Sequence, residues 1–151
     1  MTWSRWRRSP EKGLSSERLM THLIAFSSTR FDVTKETPNP INPIAGESVL
    51  QWLREKLRDS PYEATAPATE DWGWYVYVKG AAVSYLVGAS ADAGEPSRNI
   101  DWTVQIHKQR SLKDKITGAN KLTIDDPLSA LIERIIRADT DSSGIDVDRG
   151  A

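Results

Sequence analysis

The stretch "DWGWYVYVKGAAVSYLVG", residues 71–88, limits what this chain can fold into more than any other. Two Trp and two Tyr fall within residues 72–77 and alternate with small or β-branched residues. Successive side chains of a strand point to opposite faces, so such alternation predicts a strand with two unlike surfaces. A two-residue type II′ loop at Gly80-Ala81 predicts a hairpin pairing Val78 with Val83, Val76 with Tyr85, Trp74 with Val87, Tyr77 with Ser84 and Tyr75 with Leu86. One face then carries Trp72, Trp74, Val76, Val78, Val83, Tyr85 and Val87, and the other Gly73, Tyr75, Tyr77, Ser84 and Leu86. A slip of one residue would turn the apolar set outward, so parity is strongly specified.

The remaining elements follow from period and punctuation. Thr21–Thr34 reads as a strand, with Ile24 and Phe26 on one parity and Phe31 and Val33 on the other. A β-bulge near Ser27-Ser28, or two short strands meeting there, would reconcile the two pairs. Three prolines make Lys35–Gly46 a loop. Val49, Leu50, Leu53 and Leu57 recur at helical spacing over Glu47–Asp59, and Ser60-Pro61 stops that helix. Residues 89–99 form a polar loop. Ile100–Lys108 alternates Trp102, Val104 and Ile106 with Thr103, Gln105 and His107, as in a strand with one buried and one wet face. A basic connection, Gln109–Asp125, precedes a second helix at Asp126–Asp139, with Asp126 as cap, Pro127 at the first helical position and a stripe of Leu128, Leu131, Ile132, Ile135 and Ile136.

The predicted fold class is therefore α+β: a mainly antiparallel sheet of about four strands, in the order β-α-β-β-β-α, with two helices on one face. Residues 1–20 are expected to be a flexible basic arm, with five basic and two acidic side chains; 21–139 a single α+β domain; and 140–151 a disordered tail with four Asp and one Arg over 139–151. One domain suits 151 residues.

Composition excludes several classes of chemistry. Without cysteine there is no disulfide, thiolate nucleophile or cysteine-ligated metal. A formal net charge of −1 gives no global pull toward nucleic acid or acidic membranes, and no apolar run reaches the length of a membrane span. The expected setting is the cytoplasm, with no cofactor and no metal. His22 and His107 are the only histidines, and neither belongs to a helical ligand pair. "DTDSSGID" at 139–146 begins like a calcium loop, but Gly150 stands where the bidentate Glu belongs.

Three functional readings remain. In the first, the chain is a small non-catalytic binding module whose partner is another protein, with Tyr75, Tyr77, Gln105 and His107 as contact residues on the second sheet face; Tyr combines large contact area with a polar tip. The second is nucleic-acid binding through Lys108, Arg110, Lys113, Lys115 and Lys121, a segment (107–121) with five basic residues against one Asp. In the third, the chain is an enzyme using Glu70, Asp71 and His107 as acid–base groups.

Overall fold

A computed structural model of the chain describes residues 21–91 and 98–150, to which all structural statements refer; the basic arm expected over 1–20 lies outside them. The elements are β1 (Thr21–Ser28), α1 (Glu47–Lys56), β2 (Glu63–Ala64), β3 (Ala68–Glu70), β4 (Gly73–Lys79), β5 (Ser84–Ala91), β6 (Ile100–Gln109), α2 (Leu112–Thr117), α3 (Pro127–Ala138) and β7 (Ser142–Asp148). They build one antiparallel sheet of seven strands in the order β2-β4-β5-β6-β1-β7, with β3 also paired to β4. The expectation of about four strands and two helices is thus overturned: the chain is mostly sheet, with three helices.

The three extra strands lie at the edges. β2 and β3 are two and three residues long and share one edge of β4, interrupted by Ala66-Pro67; a proline cannot donate to a ladder. β7 takes the other edge, against β1. The segment from Thr140, expected to be disordered, therefore carries a strand. Its ladder shifts register opposite Ala25–Ser27, where Gly144 adopts φ 59°, a left-handed value that suits glycine.

The hairpin register also differs. Lys79 pairs with Ser84, Val78 with Tyr85, Val76 with Val87 and Tyr77 with Leu86, closed by a four-residue loop in which Gly80 N–H donates to Val83 O (2.9 Å). The slip is two residues, so each side chain keeps its parity. Trp74, Val76, Val78, Tyr85 and Val87 are buried with Ile24, Phe26, Trp102, Val104 and Ile106 on one face. The apolar stripes of α1 (Val49, Leu50, Leu53) and α3 (Leu128, Ile132, Ile136) complete this core. β1 ends at Ser28; Phe31 reaches the core from the following turn rather than through a bulge, packing edge-on against Trp52 and Trp102 with ring centroids 5.4 and 5.6 Å away, and Val33 is exposed.

Loop 35–46 is fastened rather than loose. Gly46, at the N-cap of α1, has no side chain to cap with; the Glu36 carboxylate instead accepts from the backbone N–H of Gly46 (3.0 Å) and Ser48 (2.9 Å). A carboxylate there satisfies orphan N–H groups and meets the positive end of the helix dipole. A Cβ on Gly46 would fall 2.3 Å from Ala89 O, so only glycine permits this approach of the helix entry to β5. Buried Asn39 uses its whole amide: Nδ2 donates to Glu70 O (3.1 Å) and Gly73 O (2.9 Å), and Oδ1 accepts from the N–H of Ile41 and Asn42.

At the centre, Asp126 is 1% exposed. Its Oδ2 accepts from the N–H of Leu128 and Ser129 (both 3.1 Å), which caps α3. Its Oδ1 accepts from Tyr85 Oη–H (3.0 Å) and lies 3.4 Å from Lys108 Nζ. Burial first, and then the Asp126 charge, hold the Tyr85 phenol far above its usual pKa, so Tyr85 stays a donor. Among the described residues no helix is long and apolar enough to cross a membrane. Asp126→Ala strands a buried ammonium, a phenol and two N–H groups, and is expected to cost about 3–5 kcal/mol, read as a lower midpoint in urea unfolding at unchanged slope. Asp126→Asn keeps the cap and is expected to lose less.

Candidate functional site

The face of the sheet opposite α1 and α3 is ordered by rows across the strands. One row runs Ala68, Tyr75, Gly88, Gln105, Leu23, Asp148, and the next runs Tyr77, Leu86, His107, Thr21. All four residues expected at a contact surface thus lie in two adjacent rows, but β5 separates the tyrosines from Gln105 and His107. Tyr75 and Tyr77 meet edge to face, with ring centroids 5.5 Å apart. Tyr77 is 42% exposed and Tyr75 is half-buried. Tyr77 also walls a shallow groove of ≈ 640 Å³, completed by Glu63, Ala64, Thr65, Lys79, Ser84 and Gln109.

The β6 side of this face is not wet. Thr103 and Gln105 are buried, the latter 4% exposed. Gln105 Oε1 lies 3.3 Å from His107 Nε2, and Thr21 Oγ1 lies 3.0 Å from His107 Nδ1. An amide oxygen only accepts, so this chain of contacts fits a neutral ring with the proton on Nε2 and Thr21 donating to Nδ1. Burial agrees, pushing the His107 pKa down to about 4. Gln105 therefore lies against His107 and, buried, is not itself available for contact.

Two residues of this face escaped the sequence reading. Trp72, assigned to the core face by parity, sits in the β3–β4 turn, where alternation no longer applies. Its ring lies over Gly88: a Cβ on Gly88 would stand 2.4 Å from Trp72 Cη2 and 2.9 Å from Gln105 Nε2. The absent side chain at Gly88 makes room for the indole between Tyr75 and Gln105. A glycine inside an otherwise apolar strand was the available signal, since it often marks close approach of another group.

The five cations of the basic segment divide by placement. Lys108 points to the core side, paired with Asp126 and 5.7 Å from the Tyr85 ring centroid. Arg110 donates from Nε to Ala119 O (2.9 Å) and from Nη2 to Asp114 O (2.8 Å). Lys113, Lys115 and Lys121 are exposed on or just after α2. Glu70 and Asp71 are exposed at the β3–β4 turn, and the backbone carbonyls of both hold Asn39 and Asn42. His107 lies three strands across and four residues along from Glu70, roughly 20 Å away by strand spacing, too far for shared acid–base work.

His22 and His107 fall on opposite faces. His22 is fully buried beside α3, its Nδ1 2.7 Å from Ser129 Oγ, and burial first, then Arg149, lower its pKa. No group of three or more His, Asp or Glu among the described residues is placed to hold a metal ion. In "DTDSSGID", the Asp139 carboxylate binds Arg30 through two contacts (2.9 and 2.5 Å) and the backbone from Ser142 onward is extended in β7 rather than wound into a loop.

A histidine whose folded pKa is depressed takes its proton in the unfolded chain first, so its contribution to stability is complete above about pH 6.5 and is lost as pH falls toward 4. Unfolding free energy is expected to fall over that window by up to about 1.4 kcal/mol per pH unit, with His22 adding in the same direction. The His107 ring resonance should titrate near pH 4; a midpoint near 6.5 would refute the neutral assignment. Gly88→Ala is expected to cost about 1–3 kcal/mol by displacing Trp72, and Trp72→Ala should remove most of that penalty in the double variant. No family model matches the chain, and neither comparison with curated proteins nor comparison with solved structures finds a match.

Proposed function

We propose that this chain is a non-catalytic binding module that contacts another protein through the face bearing Tyr75 and Tyr77. The observation that carries the reading is the edge-to-face tyrosine pair, of which Tyr77 is exposed and walls a groove with Lys79, Ser84 and Gln109. An aromatic pair on a rigid strand offers large area at little entropic cost, and the neighbouring amine, hydroxyl and amide supply polar partners at its rim. The cytoplasm remains the expected setting, on the absence of cysteine.

A photo-crosslinking residue placed at position 77 of the full chain in cells of its source tests this directly. A discrete protein adduct from position 77, absent when the same probe replaces exposed Arg134 on α3, and lost on adding Tyr75→Ala, is the expected result. Thermal melts of Tyr75→Ala and Tyr77→Ala should stay within a few degrees of the parent, because neither ring belongs to the core cluster. Equal labelling from both positions, or collapse of the fold in Tyr77→Ala, would reject the assignment.

A further inference from the structure

Six large apolar side chains stand exposed among the described residues, and three of them, Leu112 (74%), Ile116 (76%) and Ile124 (66%), belong to the single connection between β6 and α3. Leu112 and Ile116 are four apart on α2 and so share one face of it. Interleaved with them are exposed Lys113, Lys115 and Lys121. The connection is braced. Ser111 and Asp114 form a reciprocal capping box, with Ser111 Oγ accepting from Asp114 N–H (3.0 Å) and Asp114 Oδ2 from Ser111 N–H (3.2 Å). Gly118 ends the helix at φ 78°, the Arg110 guanidinium ties Asp114 O to Ala119 O, and buried Leu122 anchors the exit. The two helical apolar side chains are therefore held outward on a fixed support.

We propose that this connection is a docking point for an anionic lipid surface, with Leu112, Ile116 and Ile124 entering the headgroup boundary and Lys113, Lys115 and Lys121 meeting acidic headgroups. Two observations select that occupant. The exposed apolar groups alternate along one braced connection with exposed lysines, the pairing of apolar and cationic groups that an acidic headgroup layer accepts. Three side chains also fall well short of the roughly 800 Å² that each partner brings to a standard protein interface. Shallow insertion needs only a small apolar area when lysines beside it add attraction. The proposal is independent of the tyrosine face.

Sedimentation of the full chain with vesicles tests it, using phosphatidylcholine alone and with about 30% phosphatidylserine. Binding is expected to the anionic vesicles at low salt, to weaken as salt rises, and to be absent with phosphatidylcholine alone. Each of Lys113→Gln, Lys115→Gln and Lys121→Gln is expected to weaken it about fivefold, and the double variant Leu112→Ser, Ile116→Ser at least tenfold, with unaltered circular dichroism. No sedimentation at low salt, or sedimentation that the double variant leaves unchanged, overturns the proposal. So does equal, Leu112- and Ile116-dependent retention on polyglutamate or an oligonucleotide, which would assign the connection to an acidic macromolecule.

Discussion

A carboxylate withdrawn from water must be answered by donors, and Asp126 is answered by four: two backbone N–H groups of α3, the phenol of Tyr85 on β5 and the ammonium of Lys108 on β6. Those partners come from three elements, so the contact fixes where α3 starts relative to the middle of the sheet. It goes with the observed hairpin register: two residues the other way, Val78 would face Val83, and Tyr85 would sit further from the turn. His22 and Ser129 extend the same polar seam toward β1, one helical turn into α3.

With the core side so determined, the opposite face is set by parity. Its rows bring two tyrosines to the β4 edge and a neutral histidine to β6, with an indole laid over a glycine between them. Thr21, Gln105 and His107 satisfy one another there, so this half of the face behaves as structure, while the half around Tyr77 stays accessible. The contact surface proposed for a partner is correspondingly smaller than four alternating polar residues suggest.

Much of this was legible in the residues. Alternation in 72–87 gives the faces of β4 and β5 beyond the turn, and the stripes in 47–57 and 128–136 give α1 and α3. Asp126 before Pro127 marks a cap. What escaped was short, or specified from afar. β2 and β3 are too brief for any period to register, and Pro67 argues against a strand. β7 does alternate, Ile145 and Val147 against Asp146 and Asp148, but its glycine and aspartates resemble a solvated tail unless β1 is present to pair with. In the basic connection, Ser111, Asp114 and Gly118 already spelled helix start and stop, masked by the lysines among them. The second role of Asp126 depends on Lys108 and Tyr85, whose proximity no local pattern records.

The placement of β7 has a consequence for how the molecule is made. β1, near the beginning of the described chain, is zipped between β6 and β7, both supplied by its later part. As the polypeptide emerges from a ribosome, β1 has no neighbour on either side until Ile100–Gln109 appears, and its outer edge waits for Ser142–Asp148. The β4–β5 hairpin and α1 are local and can form early; the rest of the sheet needs closure of long loops, which is slow and leaves apolar edges uncovered meanwhile. A nascent chain stalled before Ser142 would hold Ile24 and Phe26 in a strand with one ladder unmade, a state open to capture by chaperones or by like strands.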